Sequence, residues 1–244
     1  VTVALSGDGG DELFGGYDRY RFSDRVWRRL RRIPQGLRQG NASLLRLMAG
    51  GLAGLSGNRS AQMAKAADLM GAPSLEALYQ RLVSTGGATA ALISQQYRAE
   101  HDDRLVGFLT RASHLAPMER MMIADASVYL PDDLLTKFDR ASMMVGLEGR
   151  VPLLDHRVAE FAWRLPLTWR TGSREGKVLL RRVLARYVPA ALFERPKMGF
   201  EVPIGAWLRG PLRAWGDTFV NAGEIHEAGF FDAQAVRRLW EGHA

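Results

Sequence analysis

The opening stretch VTVALSGDGGDELFGGYDRY constrains this chain more than any other. Its first residues, small, apolar and β-branched, read as a short buried strand ending at Gly7. The strand runs into a loop that sets Gly7, Gly9 and Gly10 among Asp8, Asp11 and Glu12. A strand turning through glycines into a helix N-terminus offers backbone N–H groups to an anion, and the helix dipole favours negative charge there. Bare phosphate beside three carboxylates would be repelled at short range. A divalent cation removes the conflict, because Mg2+ takes one or two carboxylates together with phosphate oxygens and keeps some water. The loop is therefore expected to hold a Mg2+–polyphosphate. The competing reading is that Asp11 and Glu12 only cap a helix.

Other chemistries fall away. A dinucleotide fingerprint needs glycine where Glu12 stands, and neither a phosphate loop of the GxxxxGK[ST] form nor a GxSxG elbow occurs. The chain has no cysteine, which excludes disulfides, thiolate zinc and a cysteine nucleophile within these residues. Its five histidines fall into no HExxH or HxxxH spacing. No apolar run of about 18 residues predicts a membrane span. A cytoplasmic location, with no membrane partner, is the expectation.

The net charge of +7 comes from arginine, since Lys65, Lys137, Lys177 and Lys197 are the only lysines. The densest cluster, RVWRRLRRIP at Arg25 to Pro34, reads as a solvated helix face with Val26, Trp27, Leu30 and Ile33 buried. A contact with a polyanion or a partner domain is the alternative, and no nucleic-acid partner is expected.

After the first strand, helical periodicity dominates. Helices are expected at Asp11–Tyr20, Ser23–Arg32, Ala42–Leu55, Ser74–Ser84 (opened by a cap-like serine), Pro117–Tyr129, Asp132–Ser142, Asp155–Arg164 and Glu175–Tyr187, among others. The glycine-rich stretch Gly50–Ser60 is expected to be a mobile loop.

Four segments then match, in order, a known pattern: LSGDGGDELFGGYDRY; YLPDDLLTKFDRASMMVGLEGRVPLLDHRVAEFAWRLP; REGKVLLRRVL; and RPKMGFEVPIGAWL. Together they resemble the synthetase domain of glutamine-hydrolysing asparagine synthetases. The resemblance touches Val3–Tyr20 and Tyr129–Leu208, and Arg21–Met118 carries little of it. It implies an α/β fold: the C-terminal, mostly helical portion of an ATP-pyrophosphatase-type domain (adenine nucleotide alpha hydrolase-like), with one or two short parallel strands. Residues 1–244 would form part of one such domain, with the strand and pyrophosphate loop at 1–20 and a helical body at 21–244.

The resemblance also implies a reaction. Such enzymes adenylate a carboxylate, here the aspartate side chain, with ATP, release pyrophosphate, and let ammonia attack the acyl-adenylate. Ammonia comes from glutamine through an N-terminal glutaminase domain. Relatives that close β-lactam rings, cyclise peptides or amidate sugar and wall precursors are the alternatives within the class. A non-catalytic helical binding module is the alternative outside it. A homodimer is a further expectation.

By motif position, Asp8 and Lys177 resemble the catalytic residues. Ser6, Gly7, Gly9, Gly10, Asp11, Glu12 and Arg181 resemble the nucleotide and pyrophosphate contacts, with Asp11 and Glu12 as Mg2+ ligands. Lys177 gains weight from composition: in a chain that prefers arginine, a lysine within a matched motif suggests a need for a compact point charge. Lys137 and Lys197 default to surface charge. The resemblance implies Asp132, Asp133, Asp139 and Arg140 near the acceptor pocket and the pyrophosphate, with the inward-facing acid left open and a structural Asp139–Arg140 network as the equal alternative. Glu148 and Arg150 are expected as a buried or partly buried pair bracing the site.

The chain departs from the pattern in three places. Asp8 stands where glutamate is frequent. The leading SGGxDS loop is absent, and STGGATAA at Ser84 reads as a plain loop. These residues do not include the glutaminase domain, which is expected upstream in a longer protein. Val1 is not an initiator methionine, so the chain is expected to begin inside a longer protein, to be inactive alone, and to self-associate through the edge its missing strands would cover.

Overall fold

The computed structural model describes residues 1–52, 57–84, 92–94, 104–173, 175–194, 202–220 and 222–243. Strand β1 (Val3–Leu5) is followed by α1 (Gly10–Phe14), α2 (Asp18–Leu30), α3 (Gln35–Leu52), α4 (Gly57–Met70), α5 (Leu75–Val83), α6 (Arg104–Arg111) and α7 (Pro117–Ser127). A π-helical turn, Leu130–Leu135, leads into α8 (Thr136–Met143), and β2 (Glu148–Arg150) comes next. The helices α9 (His156–Arg164), α10 (Leu167–Arg170), α11 (Val178–Leu184), α12 (Ile204–Arg209), α13 (Arg213–Phe219), α14 (Ala222–Ala228) and α15 (Ala233–His243) complete the order. No described helix is long and apolar enough to cross a membrane.

The fold is the expected mostly helical α/β arrangement with one short parallel sheet. β1 pairs with β2 in parallel, Val3 facing Glu148 and Leu5 facing Arg150. The ladder continues as Ser6 N–H donates to the Arg150 carbonyl at 2.8 Å. β1 is not buried, however: Val3 is 45% and Leu5 74% exposed. A strand with apolar side chains and an uncovered edge is a template for pairing.

The chain forms two compact units. The first, Val1–Ser43, Ala67–Leu82 and Asp102–Glu194, holds the sheet and the glycine loop. One of its cores gathers Leu13 and Phe14 of α1 with Ala162 of α9, flanked by Leu154, Trp163, Leu179 and Leu180. Another packs Leu30 against Leu69, Ala72 and Leu78, with Val26 and Trp27 alongside. The arginine-rich face is thus anchored as expected, except that Ile33 lies beyond the end of α2 and is 41% exposed. The second unit, Leu44–Ala66, Val83–His101 and Arg195–Ala244, contains α12 to α15. In it Trp240 lies against α13 at Gly216 and donates from Nε1 to Asp217 at 2.6 Å.

Local chemistry explains where the elements begin and end. Asp155 caps α9, accepting from Arg157 N–H at 2.9 Å, and Ser74 caps α5, accepting from Ala77 N–H at 3.2 Å. The single helix expected at Asp11–Tyr20 is broken in two, because Gly15 adopts a left-handed φ of 63° and ends α1. The helix expected at Asp132–Ser142 is wound as a π-helix up to Leu135, in the turn Leu130–Leu135 that contains Pro131, a residue with no N–H to give. The expected mobile stretch Gly50–Ser60 is largely helical where described: Gly50–Leu52 ends α3 and Gly57–Ser60 opens α4. Lys197 and all of STGGATAA but Ser84 lie outside the described residues.

Candidate active site

The glycine loop is held from beneath. Gly9 has φ 81°, and a Cβ there would overlap the Leu154 side chain, so both its backbone and its packing require glycine. Gly10 rests on Leu153 and Leu180 and has the Lys177 ammonium beside it. Gly7, by contrast, has open space where a Cβ would lie. Of the three loop glycines, Gly7 therefore leaves room for a ligand, while Gly9 and Gly10 let the loop close onto its support.

At the end of β1, Ser6 Oγ donates to Asp8 Oδ2 at 2.5 Å, and Asp8 N–H reaches back to Ser6 Oγ at 3.4 Å. This small ring holds the Asp8 carboxylate near its own backbone. One turn on, the Lys177 ammonium lies 3.0 Å from Asp11 Oδ2, with the two side chains 35% and 26% exposed. The pair joins residues far apart in sequence. It forms because the chain before α11 crosses over α1, where Lys177 N–H donates to the Phe14 carbonyl at 2.9 Å. Lys177 is the one non-glycine described residue with positive φ, at 56°. Arg181 is engaged differently, with Nε 3.1 Å from Glu175 and Nη2 3.6 Å from Glu194.

Glu12 does not join Asp11 at the loop surface. It is fully buried, and its Oε1 accepts from the Tyr17 hydroxyl at 2.8 Å. Its Oε2 is buried with no hydrogen-bond partner. Burial, first of all, pushes its pKa up, and the neighbouring charge of Asp11 adds to the rise. A carboxyl buried away from the loop surface is poorly placed to meet a hydrated cation. Of the two carboxylates expected at the ion, Asp11 is partly exposed at the loop and Glu12 is turned into the protein. Among the described residues no group of three or more His, Asp or Glu is placed to hold a metal ion. That donor set suits Mg2+ arriving with its own phosphate and water ligands, and does not suit an all-protein cage.

Behind the loop sits a cluster that sequence reasoning missed. Asp125 Oδ2, from α7, accepts from the Tyr20 hydroxyl at 2.8 Å, the Tyr79 hydroxyl at 2.6 Å and Arg19 Nη2 at 2.7 Å. The Arg19 guanidinium also covers the Tyr17 ring at 3.9 Å and the Tyr129 ring at 4.8 Å. The signal was present: Asp125 is the lone acid of the run MMIADASVYL. Arg170 was missed as well. It is fully buried, pairs with Glu119, and lies 4.9 Å over the Trp163 ring, while its neighbour Thr171 packs where a Cβ on Gly15 would go.

Other expected residues stay at the surface. Arg150 and Glu148 do pair, at 2.6 Å, but with side chains 66% and 53% exposed they form a surface contact rather than a buried brace. Asp132 pairs with Arg104 and Asp133 with Lys137 on exposed ground, and Asp139 and Arg140 are exposed.

Comparison with known proteins agrees with the motif pattern. The family model described as asparagine synthase matches residues 1–244. A Mycobacterium tuberculosis (strain ATCC 25618 / H37Rv) protein, named as a glutamine-hydrolyzing asparagine synthetase, is 33% identical over 249 residues; the match covers 100% of this chain and 36% of that protein. Asparagine synthetase 1 of Bacillus subtilis (strain 168) is 29% identical, over 100% of this chain and 37% of its own length. Amidase chyE of Penicillium rubens is 24% identical over 99% of this chain and 38% of its own. No solved structure matches at a significant level. The chain thus spans little more than a third of the relatives it matches. Matched along its whole length, it belongs to the asparagine synthase family.

Proposed function

We propose that these residues are the C-terminal part of an ATP-dependent, amide-forming ligase domain that activates the aspartate side chain. In the reaction, a carboxylate oxygen attacks the α-phosphorus of ATP, the bond to the bridging oxygen breaks, and pyrophosphate leaves. Ammonia then attacks the acyl carbon, loses a proton, and AMP departs. The observation that carries this reading is the Asp11–Lys177 pair at 3.0 Å beside the glycine loop, in a chain matched throughout by the asparagine synthase family.

Each group has a role in this scheme. The Lys177 ammonium offers a preorganised positive charge to the α-phosphate and the departing pyrophosphate, an electrostatic role that grows as charge develops. Asp11 would hold the Mg2+ that accompanies pyrophosphate, and that ion would offset the charge of the leaving group. Gly7 leaves room for the nucleotide at the strand end, and Ser6 fixes the Asp8 carboxylate facing it. Glu12, buried and bonded to Tyr17, supports α1 rather than the ion. Arg181, already shared between Glu175 and Glu194, holds the α11 end of the site in place. Ammonia would be supplied from glutamine by a glutaminase domain within the longer protein, and the reaction would run in the cytoplasm. The residues described here would not catalyse it alone.

Calorimetry of Mg2+-pyrophosphate binding to the full-length protein tests the reading. Wild type is expected to bind, and Asp11→Asn to bind at least about tenfold more weakly. Equal affinity in the two would refute the placement of pyrophosphate at Asp11.

A further inference from the structure

Lys177 holds a backbone conformation that a side chain ordinarily avoids. A left-handed residue with a Cβ is uncommon, and such strain persists only where the surroundings over-determine it. Here the surroundings are two glycines. The chain before α11 crosses directly over the end of α1, with Gly176 lying on Gly15 and Gly16. A Cβ on Gly176 would overlap the Gly15 carbonyl oxygen and come within 2.7 Å of the Gly16 Cα. A Cβ on Gly16 would overlap both Asp11 Oδ1 and Lys177 Cε, and would lie 2.9 Å from Asp11 Cγ. Neither glycine has a positive φ, so steric approach and not backbone freedom sets the demand at these positions.

The two halves of the ion pair therefore occupy the space that a side chain at Gly16 would need. From this we infer that Gly16 and Gly176 are positioning residues: their bare α-carbons let the two backbones cross, and the crossing holds Lys177 left-handed with its ammonium on Asp11. The inference rests on the proposed function and deepens it, since it names what aligns the cation and the carboxylate that would meet pyrophosphate. The Lys177 N–H bond to the Phe14 carbonyl, 2.9 Å, ties the crossing on its backbone side. Gly176 is itself tied to Thr171 by a local antiparallel bridge, which fixes the approach.

The test uses the full-length protein and Gly16→Ala, whose new methyl meets side chains and not backbone. Gly40→Ala is the control, because Gly40 sits in α3 with open space around it. In a crystal structure of Gly16→Ala, the Lys177–Asp11 separation is expected to exceed 4 Å. Affinity for Mg2+-pyrophosphate is expected to fall at least about tenfold, with melting within a few degrees of the control. A merely structural glycine would shift melting and leave affinity in the folded fraction unchanged. Retention of both the 3.0 Å pair and wild-type affinity overturns the inference, while loss of binding in Asp11→Asn would still leave the proposed function standing. If wild type itself fails to bind, the proposed function falls, and the crystal structure alone decides the inference. Should Gly16→Ala not fold, Lys177→Gly and Lys177→Ala decide it. Both lack the ammonium, but only glycine adopts the left-handed backbone freely, so Lys177→Gly is expected to melt higher. Equal melting, or the reverse order, overturns the inference.

Discussion

Two cation–carboxylate pairs begin in the same short stretch, and they are built to opposite ends. Arg19–Asp125 is closed: Asp125 is 2% exposed and accepts two tyrosine hydroxyls besides the guanidinium, which is itself covered by aromatic rings. Asp11–Lys177 is open: both side chains are about a third exposed or less, and one end rests on a strained backbone. A buried pair with several donors converging on its carboxylate costs a great deal to break and has little to offer a ligand. A half-exposed pair is worth little to stability and can exchange its partner for a phosphate or a metal ion. The first fixes where α2, α5 and α7 meet, and the second sits where chemistry would occur. Burial and number of partners, more than the ion pair itself, separate scaffold from site.

The contrast can be broken by experiment. The largest effect is expected at the closed pair. Asp125→Ala should cost about 3–5 kcal/mol of stability, because it leaves a guanidinium and two hydroxyls without their acceptor. Urea denaturation measures this, and a loss under about 1 kcal/mol would show the cluster to be ornamental. At the open pair the order reverses. Lys177→Met should change stability by less than about 1 kcal/mol while weakening Mg2+-pyrophosphate binding at least about tenfold, as read by paired denaturation and calorimetry. A large stability loss there would erase the distinction.

Glu12 should respond least. Its carboxyl is buried, where charge is disfavoured, and Glu12→Gln keeps a side-chain oxygen to accept from the Tyr17 hydroxyl. Stability and pyrophosphate affinity should each stay within about 1 kcal/mol of wild type. A tenfold loss of affinity would return Glu12 to the metal-binding set. The uncovered strand gives a prediction of another kind. With Val3 and Leu5 exposed on a strand whose second edge has no partner among the described residues, residues 1–244 alone should self-associate. Light scattering showing a monodisperse monomer would contradict this.

The elements legible in the sequence were those written in local chemistry. β1, the glycine loop, the serine cap at Ser74 and the helix beginning at Asp155 each follow from a few neighbouring residues. Composition singled out Lys177, as a lysine in a chain that prefers arginine, and the structure sets its ammonium 3.0 Å from Asp11 at the loop. What could not be read depended on partners distant in sequence. Nothing near Glu12 shows that α1 turns its carboxyl inward to Tyr17, and nothing near Asp125 shows that Tyr20 and Tyr79 converge on it. The break at Gly15 was hidden because a helical pattern of apolar residues runs on either side of it. The expected burial of Glu148 and Arg150 failed for a related reason. A strand is buried where neighbours cover it, and among the described residues no further strand covers theirs.

The most direct test is a structure of the full-length protein with ATP and Mg2+. The account predicts the β- and γ-phosphates between Lys177 and Asp11, with the metal ion on the Asp11 carboxylate. Nucleotide bound elsewhere, with Lys177 still resting on Asp11 and no ion beside it, would contradict it.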